Sequence, residues 1–434
     1  MRAIRSSIAF VRRRYQLVLL LVVLFLLLAD LASHWGTYFW AEYRLRSARK
    51  ALEQQDYGQA QELLTEYLRF RPDGAEGHFL SARLARRSGD LAEASRRLQT
   101  CDKLGSVPRD ALQLERILFD VQQGNLEQEK FLQDCLARQH PDSFVILEAL
   151  SQGYTKRYQL TQALDCLNRM LEQQPDNSYA LTRRGWIQER FHNNKEAVAD
   201  YQRAVEIAPE HLLARRFLAD SLLHLARKPE EATQHYEFLF QRQPDDPTLA
   251  ANLARCWLEQ DRVAEARSLV GKALTAHPRD ATLLFVRGLL AHKEGQLSQA
   301  ETWLHQAVAA KPSFQPAYYT LILVLNQQDK KAEAEKCQEQ LRNVEADLRR
   351  MNDLVHQAMS EPYNPNLRFE VARLLLKIGE DQEGDNWLRM VLLLNPYHVG
   401  AQQALAEHHQ RGGNKTASAV GADHRSASAE LTPP

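Results

Sequence analysis

Side chains that could carry out chemistry are scattered along this chain of 434 residues, and they form no recognisable catalytic set. The sequence contains no zinc-protease, serine-hydrolase or dinucleotide-binding motif, and Gly271-Lys272 lacks the upstream glycine that a phosphate-binding loop needs. His408 and His409 could ligate a metal ion, although an exposed polar pair on a helix is the favoured interpretation. The sequence therefore predicts no enzymatic activity, no cofactor and no metal site.

The cysteines also argue against a zinc ribbon or a disulfide framework. They are odd in number, widely spaced and without a CxxC pair: Cys101, Cys135, Cys166, Cys256 and Cys337. Small apolar side chains buried in helices are the favoured interpretation. A single Cys135–Cys166 bridge is the alternative.

The overall charge gives no indication of a nucleic-acid partner. Lys and Arg together number 55, as do Asp and Glu, so the formal net charge is zero. A separate enzymatic domain would need on the order of 100 contiguous residues of its own, and the repeats described next leave no such stretch.

Proline recurs at a nearly constant interval through the middle of the chain. Successive prolines stand about 34 residues apart at Pro141, Pro175, Pro209, Pro244, Pro278 and Pro312. A fixed interval of this length indicates one structural unit copied in tandem. Such arrays present long surfaces, so the pattern favours a scaffold over an enzyme.

Each unit reads as two short helices joined by a sharp turn. In the unit that ends at Pro312, Gly295 stands where a helix would end in a left-handed residue. Apolar and small residues recur at helical spacing on both sides of it, at Leu284, Gly288 and Ala291 and again at Ala300, Leu304 and Ala307.

This pattern resembles the tetratricopeptide repeat, a 34-residue helix-turn-helix with small residues at its eighth, twentieth and twenty-seventh positions and proline at its thirty-second. The resemblance covers residues 41–345 and again the unit within 365–411, which ends in a cap helix. It implies an all-α, right-handed solenoid. The unit within residues 110–139 departs from the pattern, with Ile117, Glu129 and Leu136 in place of small residues.

The N-terminal region predicts a membrane anchor. Residues 17–29 are entirely apolar, and a helix over 15–33 would be long enough to span a bilayer, with a cleaved signal peptide as the alternative. Arginines cluster within 1–14, which places the N-terminus in the cytoplasm and the repeats on the periplasmic side. A cytoplasm-facing array is the alternative topology.

The C-terminal part predicts an interruption and a tail. Apolar residues follow helical spacing through 331–360, so 346–361 is expected to be a long spacer helix, with a coiled-coil contact as the alternative. Residues 412–434 are rich in Gly, Ala, Ser and Thr and are expected to be disordered.

In the tetratricopeptide family, the first helix of each pair lines a concave groove that binds peptides. The resemblance assigns this groove to Thr182, Arg183, Trp186, Arg216, Asp220, Asn252, Arg255, Phe285 and Tyr319. Aromatic and arginine side chains suit an extended peptide or a partner helix. The lysine, asparagine and arginine set with which some relatives grip chaperone C-termini is absent, since Glu148 and Thr182 stand at two of its positions.

The sequence thus predicts a membrane-anchored scaffold for protein–protein interaction. By resemblance, it would recruit or position partners in bacterial cell-envelope assembly, secretion or protein maturation. The alternatives are a cytoplasm-facing adaptor and a non-catalytic subunit that activates a transferase.

Overall fold

The computed structural model of the chain describes residues 38–54 and 56–417, with side chains described as far as residue 408. Every regular element within these residues is an α-helix, so the all-α solenoid class predicted from the sequence is confirmed. No helix in this part of the chain is both long and apolar enough to cross a bilayer. The span predicted at 15–33 and the basic segment predicted at 1–14 lie outside the described residues.

The helices form two compact units, one ending at Asp120 and the other beginning at Val121. The first unit holds α1 (38–53), α2 (Tyr57–Phe70), α3 (Ala75–Arg87), α4 (Leu91–Leu104) and most of α5 (Arg109–Gln122).

The second unit continues the array through sixteen further helices. Their bounds are α6 (Glu129–Ala137), α7 (Ser143–Lys156), α8 (Leu160–Gln173), α9 (Ser178–Arg190), α10 (Asn194–Ile207), α11 (Leu212–His224), α12 (Pro229–Arg242), α13 (Pro247–Glu259), α14 (Val263–Ala276), α15 (Ala281–Lys293), α16 (Leu297–Ala310), α17 (Gln315–Gln327), α18 (Lys331–Ser360), α19 (Pro365–Lys377), α20 (Asp381–Leu394) and α21 (Val399–Ala417).

A left-handed residue joins the two helices of most hairpins. Positive φ angles recur at the repeat interval, at Gly89, Gly124, Tyr158, His192, Arg227, Asp261, Gly295 and Asp329, and once more beyond the long helix α18, at Gly379. This conformation costs a residue other than glycine about 1–2 kcal/mol. Packing of the two helices must therefore offset that cost at the five turns without glycine.

Small residues let the paired helices approach closely. A Cβ atom on Gly185 would lie 2.7 Å from the ring of Tyr201, and one on Gly288 would lie 2.8 Å from Leu304. Both separations are shorter than van der Waals contact, which explains why glycine occupies the eighth position of these units.

The departures seen in the sequence correspond to irregular structure. The α6 helix has only nine residues, and Ile117 and Leu136 are buried where smaller side chains are typical of the repeat. All five cysteines are free thiols, so the alternative Cys135–Cys166 bridge is not formed.

Beyond α17 the regular hairpins give way to one long helix. The α18 helix has 30 residues, and Leu341, Leu354 and Ala358 are buried on one side of it. That side is therefore packed against the chain itself, as a spacer helix requires. The α21 helix continues to Ala417, past the start of the tail for which the composition predicts disorder, because each added residue extends the helical hydrogen bonding.

Candidate functional site

The first helices of successive hairpins in the second unit form a continuous surface. These helices are α7, α9, α11, α13, α15 and α17, and we call their shared face the first-helix surface. Packing contacts join α9 with α11, α13 with α15 and α15 with α17. Hydrogen bonds from Gln152 to Tyr179 and from Asn252 to Asp220 link α7 with α9 and α11 with α13. All nine groove residues predicted from the sequence belong to these helices.

Four of the nine residues are buried and serve the array itself. Thr182 donates to the backbone oxygen of Ser178 at 2.7 Å, and the ring of Phe285 lies 5.1 Å from that of Phe314. Trp186 and Asn252 are also buried, at 6 % and 5 % exposure. These side chains support the surface more than they present groups to a partner.

Arg216 and Asp220 take part in a polar network between neighbouring hairpins. Arg216 bonds Asp246 at 2.8 Å, while Asp220 accepts from the Tyr236 hydroxyl at 2.6 Å and from Asn252 at 3.3 Å. Burial raises the pKa of Asp220 despite these donors. The network therefore links α11, α12 and α13 and fixes their register.

Three predicted residues remain within reach of a partner. The Arg183 guanidinium lies 5.0 Å from the centre of the Tyr179 ring. Arg255 is 3.2 Å from His224, and Tyr319 is 53 % exposed with its hydroxyl bonded to Glu345 at 2.6 Å.

The structure adds residues around Arg183 that the sequence prediction missed. Lys156 at the end of α7 and His211 before α11 are half-buried, and the Arg183 charge reaches both. Burial, with that charge, lowers the pKa of Lys156 and of His211. We call Lys156 and Arg183 the cationic cluster; His211, whose lowered pKa favours the neutral imidazole, lies beside it. Tyr179 extends it, since its hydroxyl accepts from Gln152 at 2.6 Å.

An anion is the natural ligand of the cationic cluster. Burial lowers the pKa of Arg183, and its Nη1 atom has no acceptor among the described residues. Lys156 has no acidic side chain within ion-pair distance in the described part of the chain. A carboxylate would supply both missing interactions. In the sequence, the only signal for this cluster was Tyr179, which stands at the second position of its repeat.

A cavity of about 520 Å³ opens beside the second helices α12 and α14. Trp257 and Ala250 form its floor, and Asp245, Glu265 and Lys272 lie at its rim. Ala250 stands where the neighbouring first helices carry Leu181 and Leu284, so a missing side chain creates the space. Its rim carries both signs of charge and does not select a partner.

Among the residues that the structure describes, one group of side chains has metal-ligand spacing, namely Glu301, His305 and Glu333. Lys330 already bonds both oxygens of Glu301, at 2.7 and 2.6 Å. Burial alone would raise the pKa of Glu301, but these bonds outweigh it and lower the pKa. The Glu301 carboxylate is thus already paired with the Lys330 ammonium group, and the three side chains do not resemble a preorganised metal site.

Family comparisons agree with the repeat pattern. A family model described as tetratricopeptide repeat matches residues 45–96, 156–211, 182–247 and 265–313. A second model of the same description matches residues 223–284.

Several solved structures are similar at low sequence identity. A tetratricopeptide repeat protein from Parabacteroides merdae is 19 % identical, with 66 % of this chain and 99 % of that one covered and a TM-score of 0.32. PilF from Pseudomonas aeruginosa is 14 % identical, with 69 % and 99 % covered and a TM-score of 0.29. The Cut9–Hcn1 assembly of the APC/C is 13 % identical, with 85 % and 84 % covered and a TM-score of 0.34.

Proposed function

Because this chain belongs to the tetratricopeptide-repeat family, we propose that it is a membrane-anchored scaffold that binds partner proteins on its first-helix surface. The bound segment would be an extended peptide or a helix lying across α7, α9, α11 and α13. The anchor is the apolar segment 15–33, and the repeats face the periplasm. By family resemblance, the role is to recruit or position partners in envelope assembly, secretion or protein maturation.

The observation that carries the binding proposal is the cationic cluster. Lys156 and Arg183 are two neighbouring cations on a surface that also presents Tyr179. The buried Glu148 carboxylate raises the pKa of Arg183, but burial outweighs it, and the Nη1 atom of Arg183 has no acceptor among the described residues. Arginine and tyrosine dominate the energetics of protein interfaces. A partner that supplies a carboxylate there would gain charge-assisted hydrogen bonds in a partly desolvated setting.

Site-specific crosslinking in intact membranes tests the binding surface. A photo-reactive amino acid at Arg255, on the first-helix surface, should capture a partner that the same group at Arg203, on α10, does not. The purified partner should then bind a Lys156→Ala, Arg183→Ala variant at least about tenfold more weakly, a loss of about 1.4 kcal/mol.

Arg203→Ala is the matched control, since this arginine is exposed on a second helix and pairs with Asp176. Equal weakening by the control and the double variant would refute the assignment of the surface. The topology needs a separate measurement. A C-terminal reporter active only in the periplasm should be active, and a silent reporter would support the cytoplasm-facing alternative.

A further inference from the structure

The last hairpin of the array, α19 with α20, returns to the turn that follows α7. The ring of Trp387 on α20 lies 4.8 Å from the ring of Tyr158, and Trp387 is only 2 % exposed. Leu393 packs against the turn at Gly124. Hairpins distant in sequence therefore meet in a buried contact, which we call the closing contact.

Arg368 lies at the centre of the closing contact. Its side chain is completely buried, and its Nη2 atom donates to the backbone oxygens of Arg157 at 2.7 Å and Pro362 at 2.8 Å. Its Nε and Nη1 atoms are shielded from solvent and have no acceptor among the described residues. Part of a guanidinium is thus buried without the hydrogen bonds that it requires.

A second arginine stands beside the first. Arg157 donates from Nε to the backbone oxygen of Gly124 at 2.5 Å, while its buried Nη1 atom has no acceptor within the described range. Burial, together with the charge of Arg157, lowers the pKa of Arg368 to about 10. Burial also lowers the pKa of Arg157. Two buried cations therefore lie close enough for the charge of Arg157 to act on Arg368.

No carboxylate among the described residues bonds to either arginine. The acidic residues at the start of α20 and in the turn before it each have another partner. These pairs are Glu380 with Lys311 at 2.8 Å, Asp381 with His408 at 3.9 Å, Glu383 with Arg190 at 3.9 Å and Asp385 with Arg389 at 2.9 Å. No carboxylate of the described residues therefore bonds the three unfilled donor atoms of Arg157 and Arg368.

We propose that the Arg157–Arg368 pair binds one oxyanion, a phosphate or a carboxylate, which fastens α19 and α20 to the turn after α7. Burying an unpaired charge is strongly unfavourable, and buried charges in proteins are normally paired. Guanidinium groups present planar sets of donors that match the oxygens of phosphate and carboxylate. One oxyanion would neutralise both cations and accept from Nε and Nη1 of Arg368 and Nη1 of Arg157.

Because the donor atoms are shielded from solvent, a ligand can reach them only when the closing contact opens. Tyr363 is 66 % exposed and lies close enough for its hydroxyl to influence the pKa of Arg157. An anion that binds only the closed form stabilises it by mass action.

Hydrogen exchange on the full-length protein in detergent tests this proposal. Inorganic phosphate is added at constant ionic strength against chloride, and amide exchange is followed in residues 157–160 and in α20. At 100 times the dissociation constant, exchange through opening of the closing contact should slow about 100-fold. A second arm uses a hexaglutamate peptide in place of phosphate, so that a free ion and a partner's carboxylates are distinguished.

Arg368→Gln should remove the slowing, and Arg157→Gln provides a second variant should the first fail to fold. In the Arg389→Gln variant, which lacks an exposed arginine of α20, the slowing of exchange should persist. Slowing by either probe supports the site and identifies the source of the anion. Equal exchange in phosphate, hexaglutamate and chloride, or slowing that persists in both glutamine variants, would overturn it.

Discussion

Two buried arginine sites of this molecule differ in the presence of a carboxylate. In the first unit Arg86 bonds Glu115 at 2.6 Å, and Arg83 bonds the other oxygen of Glu115 at 3.0 Å. In the second unit Arg157 and Arg368 are buried together with unfilled donor atoms and no acid.

The difference shows where the partner of a buried arginine comes from in a repeat array. Arg86 and Glu115 lie on α3 and α5, the first helices of neighbouring hairpins, so adjacent repeats supply both partners. Arg157 and Arg368 come from hairpins that are not neighbours in the array. The site between neighbours supplies its own carboxylate, although the buried Nη2 atom of Arg86 has no hydrogen-bond acceptor among the described residues. The closing contact has no carboxylate of its own, and we propose that a ligand supplies the anion.

Glu115→Ala should have the largest effect, because it leaves Arg86 buried and without its carboxylate. Removing one partner of a buried ion pair typically costs about 3–5 kcal/mol. Hydrogen exchange of α3 and α5 would measure this loss of local unfolding free energy.

Asp102→Ala is the matched control for that substitution. Asp102 pairs with Arg116 in the same unit, and both side chains are 46 % exposed. An exposed pair contributes less than about 1 kcal/mol. Similar losses in the two variants would show that the buried pair has no special importance.

The two sites should respond to opposite ends of the pH scale. Burial by itself raises the pKa of Glu115, but Arg86 and Arg83 outweigh it, so the pKa lies below its ordinary value. Its contribution is present above the ordinary pKa of about 4.3 and is lost as the pH falls through the folded-state value.

Arg368 has the reverse dependence. Its folded-state pKa of about 10 lies below the ordinary value for arginine, so charge on Arg368 opposes folding. The closing contact should become more stable as the pH rises through about 10. Exchange measured from acid to alkaline pH should show α3 opening in acid and α20 gaining protection in alkali. The same profile in both helices would contradict the comparison.

Tyr363→Glu should make the second site resemble the first. A carboxylate placed near Arg157 would act as the missing anion and stabilise the closing contact by about 1 kcal/mol, the upper range for an exposed ion pair. Phosphate should at the same time slow hydrogen exchange at the closing contact less than it does in the unchanged protein. Tyr363→Gln controls for loss of the ring, and equal phosphate dependence in both variants would count against an anion site.

Arg368→Met should have the smallest effect in phosphate-free buffer. The substitution removes two hydrogen bonds to backbone oxygens but also relieves a buried, unpaired charge, so the net change should stay within about 1 kcal/mol. Exchange of α20 would measure it. A loss as large as that of Glu115→Ala would mean that Arg368 is already fully satisfied by the protein.

The hairpins and their turns could be predicted because their determinants lie close together in the sequence. Gly288 and Leu304 meet within one unit, and the positive φ of Gly295 follows from a residue type suited to it. The groove residues were harder to predict. The repeat register places Thr182 and Phe285 on the correct helices, but their burial depends on which neighbours cover them.

By itself the sequence determined the repeat interval, the paired helices and the helix that carries each candidate groove residue, because helical periodicity and turn residues act over one unit of chain. Only the tertiary structure decided that Lys156, Arg183 and His211 share one patch and that Arg368 reaches Arg157, 211 residues away. Those contacts depend on the small rotation between successive hairpins, summed over the array. No local pattern of residues specifies that sum.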